Sequence, residues 1–163
     1  MLSFGHGRAS ESPNSTPNTD ARKSGARRLA WTLGATVPMS RASKNLETLK
    51  HLVDAFNAHD VDKVMSFFAD DCSLDMPRGK SQWGTRYVGK EQVRNGLRSR
   101  FEMLPDVHYG EDRHWATDDM GFSEWLLTGT LSSGQTIAVR GCDHYEFRDG
   151  KVIRKDSYWK IVE

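Results

Sequence analysis

Residues 141–159 read GCDHYEFRDGKVIRKDSYW, two alternating stretches joined by Asp149-Gly150. An Asp-Gly pair between alternating runs is a strong signal for a tight β-hairpin. The alternation continues on the N-terminal side, so we predict strands over about residues 107–117, 121–131, 135–147 and 151–162. This half of the chain therefore predicts an antiparallel meander.

The preceding half of the chain repeats its apolar residues every three to four positions, which is the spacing of one helix face. A first helix is predicted over residues 43–57, and a second, capped by Asp60, extends to Phe68. A short strand over residues 72–76, a polar loop and a third helix over residues 90–103 follow. Three helices before a meander predict an α+β fold, with the helices packed on one face of the sheet.

Residues 1–38 differ from the rest of the chain in composition. Ser, Thr, Pro and Asn dominate residues 9–20, and such a segment cannot bury enough apolar surface to offset the entropy lost on ordering. A secretory signal carries its basic residues at its start, whereas the basic cluster here begins at Arg22. We predict a disordered, dispensable extension over residues 1–38 and a single domain over residues 39–163.

Composition excludes several classes of partner. The 163 residues carry a net charge of +1, which provides no polycationic surface for nucleic acid. No apolar run is as long as a membrane span. Two cysteines, Cys72 and Cys142, do not make a disulfide scaffold and favour a reducing compartment. We predict a cytoplasmic protein with no nucleic-acid or membrane partner.

Three segments carry a family signature: FNAHDVDKVMSFFADDCSLDMP from Phe56, YVGKEQVRNGL from Tyr87 and the hairpin sequence from Gly141. Together, over about residues 44–162, they resemble the nuclear transport factor 2-like superfamily, and within it the SnoaL-like polyketide cyclases and the ketosteroid isomerases. The resemblance implies a cone, in which a strongly curved antiparallel sheet wraps around the N-terminal helices and leaves a deep apolar pocket. It also implies a homodimer. The fold hosts isomerases, cyclases, hydrolases and non-catalytic modules, so it does not by itself define a function.

Asp143 is the candidate catalytic residue. On its predicted strand it shares a face with Ile137, Val139, Tyr145 and Phe147, so it interrupts an otherwise apolar row. Burial without a partner disfavours the ionised carboxylate, which makes Asp143 a candidate general acid or base. In the resemblance it matches the catalytic Asp of the SnoaL-like cyclases. A structural Asp that is bonded to Tyr or Trp in the core is the alternative interpretation.

Two departures from the isomerase pattern argue against steroid isomerase activity. The position that matches the isomerase general base is Met76, which cannot take a proton, and the matching tyrosine position is Leu52. Asp75 could replace Met76 only if the strand slipped by one residue, which would turn every side chain to the other face.

Two alternative functions remain beside a cyclase or isomerase. An Asp–Arg–Asp arrangement with Arg154 and Asp156 would resemble the limonene epoxide hydrolases. Strand parity, however, turns both side chains away from the Trp159 face, which the resemblance places in the pocket, so we expect Asp156 to be a surface charge. The other alternative is a non-catalytic module that binds a ligand or forms a dimer, and the missing isomerase residues favour it.

The pocket is expected to bind a small apolar or aromatic ligand, because aromatic side chains are numerous for a domain of this size. Trp83 lies in a loop and is expected at the pocket mouth. The expected ligand-binding residues are Phe56, Phe68, Met76, Trp83, Leu97, Trp125, Tyr145 and Trp159. The histidines form no HxH or HExxH pattern. We therefore predict no metal and no cofactor. The function that we predict is that of an enzyme of the cyclase or isomerase type, which acts on an apolar carbonyl compound.

Overall fold

Residues 38–162 are described by a computed structural model of the protein. Its elements are α1 (Arg41–Asn57), α2 (Val61–Ser66), β1 (Phe68–Asp75), β2 (Arg86–Val88), α3 (Lys90–Met103), β3 (His108–Ala116), β4 (Met120–Thr130), β5 (Thr136–Arg148) and β6 (Lys151–Trp159). The predicted extension over residues 1–38 lies outside the described residues, except for Pro38. Helices lie on one side of a curved, open sheet, which confirms the α+β prediction.

The six strands form one sheet in the order β2-β1-β6-β5-β4-β3. Strands β3 to β6 form the predicted antiparallel meander. Strand β1, however, lies beside β6 and runs parallel to it, with Leu74 opposite Lys155. The sheet is thus mainly antiparallel, as predicted, with one parallel pair that the sequence analysis did not foresee. No hairpin joins these two strands, so no turn sets their relative direction.

Side-chain caps set the starts of the first two helices. The Ser40 hydroxyl accepts the backbone N–H of Ser43 at 3.1 Å, so α1 begins two residues earlier than predicted. The Asp60 carboxylate accepts the backbone N–H of Lys63 at 2.9 Å, which confirms the predicted cap of α2.

Other boundaries differ from the sequence prediction. Helix α2 ends at Ser66, and Phe68 begins β1 instead of extending the helix. The segment predicted as a polar loop contains β2, a three-residue strand that pairs with β1. Strand β6 ends at Trp159. Short strands such as β2 carry too few residues to show an alternating pattern.

The hydrophobic core lies between the helices and the sheet face that they cover, which we call the inner face; the opposite one is the outer face. Leu49, Leu52 and Phe56 of α1 are buried here with Trp125 and Tyr145 of the sheet. Alternation along β5 and β6 then decides which polar side chains enter this core. Among residues 38–162, no helix is long and apolar enough to cross a membrane.

Candidate functional site

A cleft opens on the inner face between α3, the end of β6 and the segment that follows β1. The wider part of this cleft has a volume of about 280 Å³, and a narrow inner part adds about 20 Å³. Met76, Pro77, Arg100 and Trp159 line both parts. The inner part is also lined by Phe56, Leu74, Leu97, Tyr109, Trp125, Lys155 and Ser157. The cleft is thus mostly apolar, with a few polar groups that converge at its inner end.

Most of the residues expected to bind a ligand are brought together here. The residues from that set that line the cleft are Phe56, Met76, Leu97, Trp125 and Trp159. Phe68 and Tyr145 are instead buried in the core, with 1% and 0% of their surface exposed. Tyr145 still contributes to the site, because its hydroxyl group contacts the candidate acid.

Asp143 is buried on the inner face and accepts four hydrogen bonds. Lys155 Nζ at 2.5 Å and Ser157 Oγ at 2.6 Å donate to Oδ1. Trp125 Nε1 at 2.9 Å and the Tyr145 hydroxyl at 3.2 Å donate to Oδ2. The bonds from Trp125 and Tyr145 are those of the alternative interpretation, a structural Asp in the core. Lys155 and Ser157 are additional partners that the sequence analysis did not predict. Strand β6 pairs Ser157 with Asp143, and this register brings the Lys155 ammonium to the carboxylate.

Lys155 is the member of this pair that borders the cleft, whereas Asp143 lies behind Lys155, Ser157 and Trp125. Burial lowers the pKa of Lys155, and the Asp143 carboxylate acts in the opposite direction. The Nζ atom also lies 5.7 Å from the centres of the Phe56 and Tyr145 rings. A buried amine with a lowered pKa gives up its proton more readily than an exposed lysine does.

Arg100 and Tyr109 complete the inner part of the cleft. Only 9% of Arg100 is exposed, and its Cζ atom lies 4.3 Å from the centre of a Trp159 ring. Burial raises the pKa of the Tyr109 hydroxyl, and the positive charge of Arg100 opposes this change. Sequence analysis missed Arg100. Arg100 follows Val93 by seven residues and Leu97 by three, which places it on the buried stripe of α3. This spacing is the sequence signal that could have identified it.

A second buried carboxylate, Asp75, lies on the outer face. Arg86 donates to its two oxygens at 2.5 and 2.7 Å, and Arg154 donates to Oδ2 at 3.0 Å. Desolvation acts to raise the pKa of Asp75, but hydrogen bonds from the two guanidinium groups outweigh it, and the pKa lies below its usual range. Because the Asp75 carboxylate points away from the cleft, it does not replace Met76 as a base.

An Asp–Arg–Asp arrangement does form, but on the outer face. Arg154 also donates to Asp156 Oδ2 at 2.7 Å, and the Tyr158 hydroxyl donates to the same oxygen at 2.9 Å. Strand parity thus places Asp156 away from the cleft as predicted. The expectation of an ordinary surface charge is wrong, because Arg154 and Tyr158 leave only 7% of Asp156 exposed.

Trp83 also lies outside the cleft, contrary to the expectation that it forms the pocket mouth. Its ring centre is 4.8 Å from Arg86 Cζ and 5.6 Å from Arg154 Cζ. These distances are those of cation–π contacts. Trp83 therefore covers the charged network of the outer face.

His114 is the histidine that reaches the inner face. Its Nδ1 atom is 2.8 Å from the Ser123 hydroxyl, and its Nε2 atom is 2.7 Å from an Asp112 oxygen. Among residues 38–162, no group of three or more His, Cys, Asp and Glu side chains could hold a metal ion.

Comparisons with known proteins agree with this architecture. A proposed polyketide cyclase from Xanthomonas campestris pv. campestris superposes with a TM-score of 0.67 at 20% identity, covering 74% of this chain and 93% of that one. Bal32a, from a soil-derived mobile gene cassette, gives 0.66 at 21% identity, with 74% and 92% covered. TerC, co-crystallised with polyporic acid, gives 0.64 at 19% identity, with 72% and 92% covered. At these identities the likeness shows the fold alone.

The sequence itself carries the family assignment. A search of curated protein sequences gives no match. Residues 49–155, which include α3, β3 to β5 and both members of the Asp143–Lys155 pair, match the model of the SnoaL-like domain. This match spans more than half of the chain, and the protein therefore belongs to the SnoaL-like family within the nuclear transport factor 2-like fold.

Proposed function

We propose that the protein binds a small, largely apolar carbonyl compound in the cleft and moves a proton on it through Lys155 and Asp143, as a cofactor-independent isomerase or cyclase does. One observation carries the proposal: a buried Asp143–Lys155 pair, joined at 2.5 Å, closes the inner end of an apolar cleft. Burial lowers the pKa of Lys155, and a buried group with a shifted pKa beside a cleft is typical of a site of proton transfer. TerC, of the same fold, was co-crystallised with polyporic acid.

In the proposed mechanism, Lys155 and Asp143 have different roles. Lys155 borders the cleft and is the group that touches the ligand, whereas Asp143 lies behind it. When Lys155 passes its proton to Asp143, the neutral amine can take a proton from a carbon beside the carbonyl group. This step leaves an enolate and a Lys155 ammonium, which returns the proton at the same or at another carbon. Asp143 is the acceptor that keeps the second proton within the pair.

Exchange of carbon-bound hydrogen for deuterium tests this proposal without knowledge of the natural substrate. Small enolisable ketones such as 2-tetralone are incubated with the protein in heavy water and followed by NMR. We expect catalysed exchange by the wild type, and a loss of about 100-fold or more in the double variant Asp143→Asn/Lys155→Met. The double variant removes both charges together, so neither member of the pair is left as an unpaired charge.

Lys50→Met is the matched control, since the Lys50 side chain is half exposed on α1. It is expected to exchange like the wild type. Exchange that is unchanged in the double variant would contradict the proposed role of the pair, even if the cleft binds the ketone.

One observation favours a second candidate, a binding protein without catalysis. Each oxygen of Asp143 already accepts two hydrogen bonds from the protein, which is how a purely structural carboxylate is satisfied. This candidate predicts ligand binding in wild type and double variant alike, with no exchange on any ketone. The hydrolase alternative has less support, because the Asp75–Arg154–Asp156 arrangement lies on the face opposite the cleft.

A further inference from the structure

Arg100 is a buried cation that lacks an anionic partner within the described part of the chain. Only 9% of the residue is exposed, and its Nε atom has no hydrogen-bond partner among residues 38–162. The ion pairs found in that range do not include Arg100. A charge that is taken out of water without a partner is costly, and this cost points to a group that is supplied by a ligand.

The cleft in front of Arg100 carries an excess of positive charge. Arg78 also lines it, with its Cζ atom 5.8 Å from the centre of a Trp159 ring. Lys155 is balanced by Asp143 from behind, but no acidic side chain of residues 38–162 lines the cleft. The buried Arg100 and the exposed Arg78 therefore both add positive charge to a largely apolar space, and such a field raises the local concentration of anions.

We propose that the ligand is a small apolar anion whose planar oxyanion, a carboxylate or an ionised enol, binds Arg100 beside Trp159. The inference rests on the proposed function in taking this cleft as the ligand site. A guanidinium group is planar and presents parallel N–H groups that match a planar oxyanion. The Trp159 ring holds the guanidinium from one side. Apolar walls from Met76, Ile137 and Val139 take the body of the ligand.

Arg100 and Lys155 then have different roles at one site. Arg100 lines both the wider and the narrow inner part of the cleft, whereas Lys155 lines only the inner part. An anionic group held at Arg100 places the apolar body within reach of Lys155 from a fixed point. The ligand class that follows is an apolar acid that also carries a carbonyl group, such as a keto acid or an acidic diketone.

Calorimetric titration of the full chain with non-reacting probes tests the anion site. The probes are trans-cinnamate, the neutral trans-cinnamamide of the same shape, and 4-nitrophenolate as an ionised enol. We expect an anionic probe to bind the wild type about tenfold or more tightly than the amide does, and Arg100→Gln to abolish this preference. Tight binding of cinnamate alone assigns the site to carboxylates, that of nitrophenolate alone assigns it to ionised enols, and either result supports the proposal.

Arg98→Gln makes the same substitution on the exposed side of α3 and is expected to keep the preference. Thermal unfolding supplies a second readout: cinnamate raises the Tm of the wild type but not of Arg100→Gln, which without ligand is at least as stable as the wild type. Equal affinities for acid and amide, a preference that survives in Arg100→Gln, or no binding of either anion overturns the inference. Because these probes do not react, failure of the exchange experiment leaves this result standing, and the reverse also holds.

Discussion

The outer face of the sheet buries two carboxylates, Asp75 and Asp156, and the inner face buries one, Asp143, but the residues that neutralise them differ. On the outer face, Asp75 is held by Arg86 and Arg154. On the inner face, Asp143 faces one cation, Lys155, and three neutral donors. A guanidinium group does not give up its proton in a protein, whereas an amine does so once burial lowers its pKa. The outer network is therefore a fixed set of charges, and the proton movement that we propose is confined to the inner pair.

The position of each carboxylate relative to the cleft supports the same distinction. Asp75 ties β1 to its neighbours β2 and β6, because Arg86 and Arg154 lie on those strands. Trp83 covers this network from outside. The Asp143–Lys155 pair instead borders the narrow inner part of the cleft through Lys155. Of the three buried acids among residues 38–162, only Asp143 is joined to side chains that line the cleft.

The largest expected effect follows from breaking the inner pair. Lys155→Met leaves the Asp143 carboxylate buried without its cation, and we expect the free energy of unfolding at neutral pH to fall by about 3–5 kcal/mol. Asp143→Asn/Lys155→Met should recover most of this loss. Urea denaturation of both variants measures the difference. If Lys155→Met costs less than about 1 kcal/mol, the pair does not carry opposite charges in the folded protein.

A smaller effect, with a defined pH dependence, is expected on the outer face. Asp75→Asn removes the negative charge between the two arginines and should cost about 2–3 kcal/mol at neutral pH. The pKa of Asp75 is lowered in the folded state, so the folded protein binds this proton less tightly than the unfolded chain. The stabilisation is therefore complete above the unfolded value of about 3.9 and is lost as pH falls through the lowered pKa.

Urea denaturation of wild type and Asp75→Asn between pH 7 and pH 3 follows this change. The difference in stability should shrink below about pH 4. A difference that stays constant throughout this range would show that Arg86 and Arg154 do not lower the pKa of Asp75 in the folded protein.

The smallest effect is expected at Gly141, which packs against Trp125, one of the hydrogen-bond donors to Asp143. A methyl group added at Gly141 would lie 2.3 Å from a Trp125 ring atom and 2.5 Å from the Tyr158 carbonyl oxygen. Gly141→Ala should therefore displace the Trp125 indole and cost about 1–3 kcal/mol. Gly110→Ala, whose nearest neighbour would be 3.6 Å away, is the matched control and should be close to neutral. Equal Tm values for the two variants would show that Trp125 moves without cost.

The sequence predicted the fold well because long periodic segments decide it. The meander, the stripe of α1 and the Asp60 cap were all readable from local patterns. The parallel pairing of β1 with β6 was not, since it joins segments that no hairpin connects. The homodimer, the cytoplasmic location and the disordered extension stay predictions; light scattering would test the first of them.

The candidate site was predicted only in part, because its contacts depend on the register between neighbouring strands. Parity placed Lys155, Ser157 and Trp159 on one face correctly, but parity does not say which residue of the neighbouring strand faces them. The contact between Lys155 and Asp143 needs that register. Arg100 was missed because a charged residue on an apolar helix stripe reads as an interruption of the stripe. The structure instead turns it into the cleft.

Strand β6 has a consequence for how the chain assembles during its synthesis. Its adjacent residues Arg154 and Lys155 project to opposite faces, so one short segment delivers cations to the buried acids of both faces. The same strand lies between β1 and β5 and joins the β1–β2 pair to the other three strands. Until residues 151–159 leave the ribosome, Asp75 lacks Arg154, Asp143 lacks its cation, and two sheet edges are open. A chain stopped short of β6 should therefore stay unfolded and be degraded, rather than accumulate as a partly active fragment.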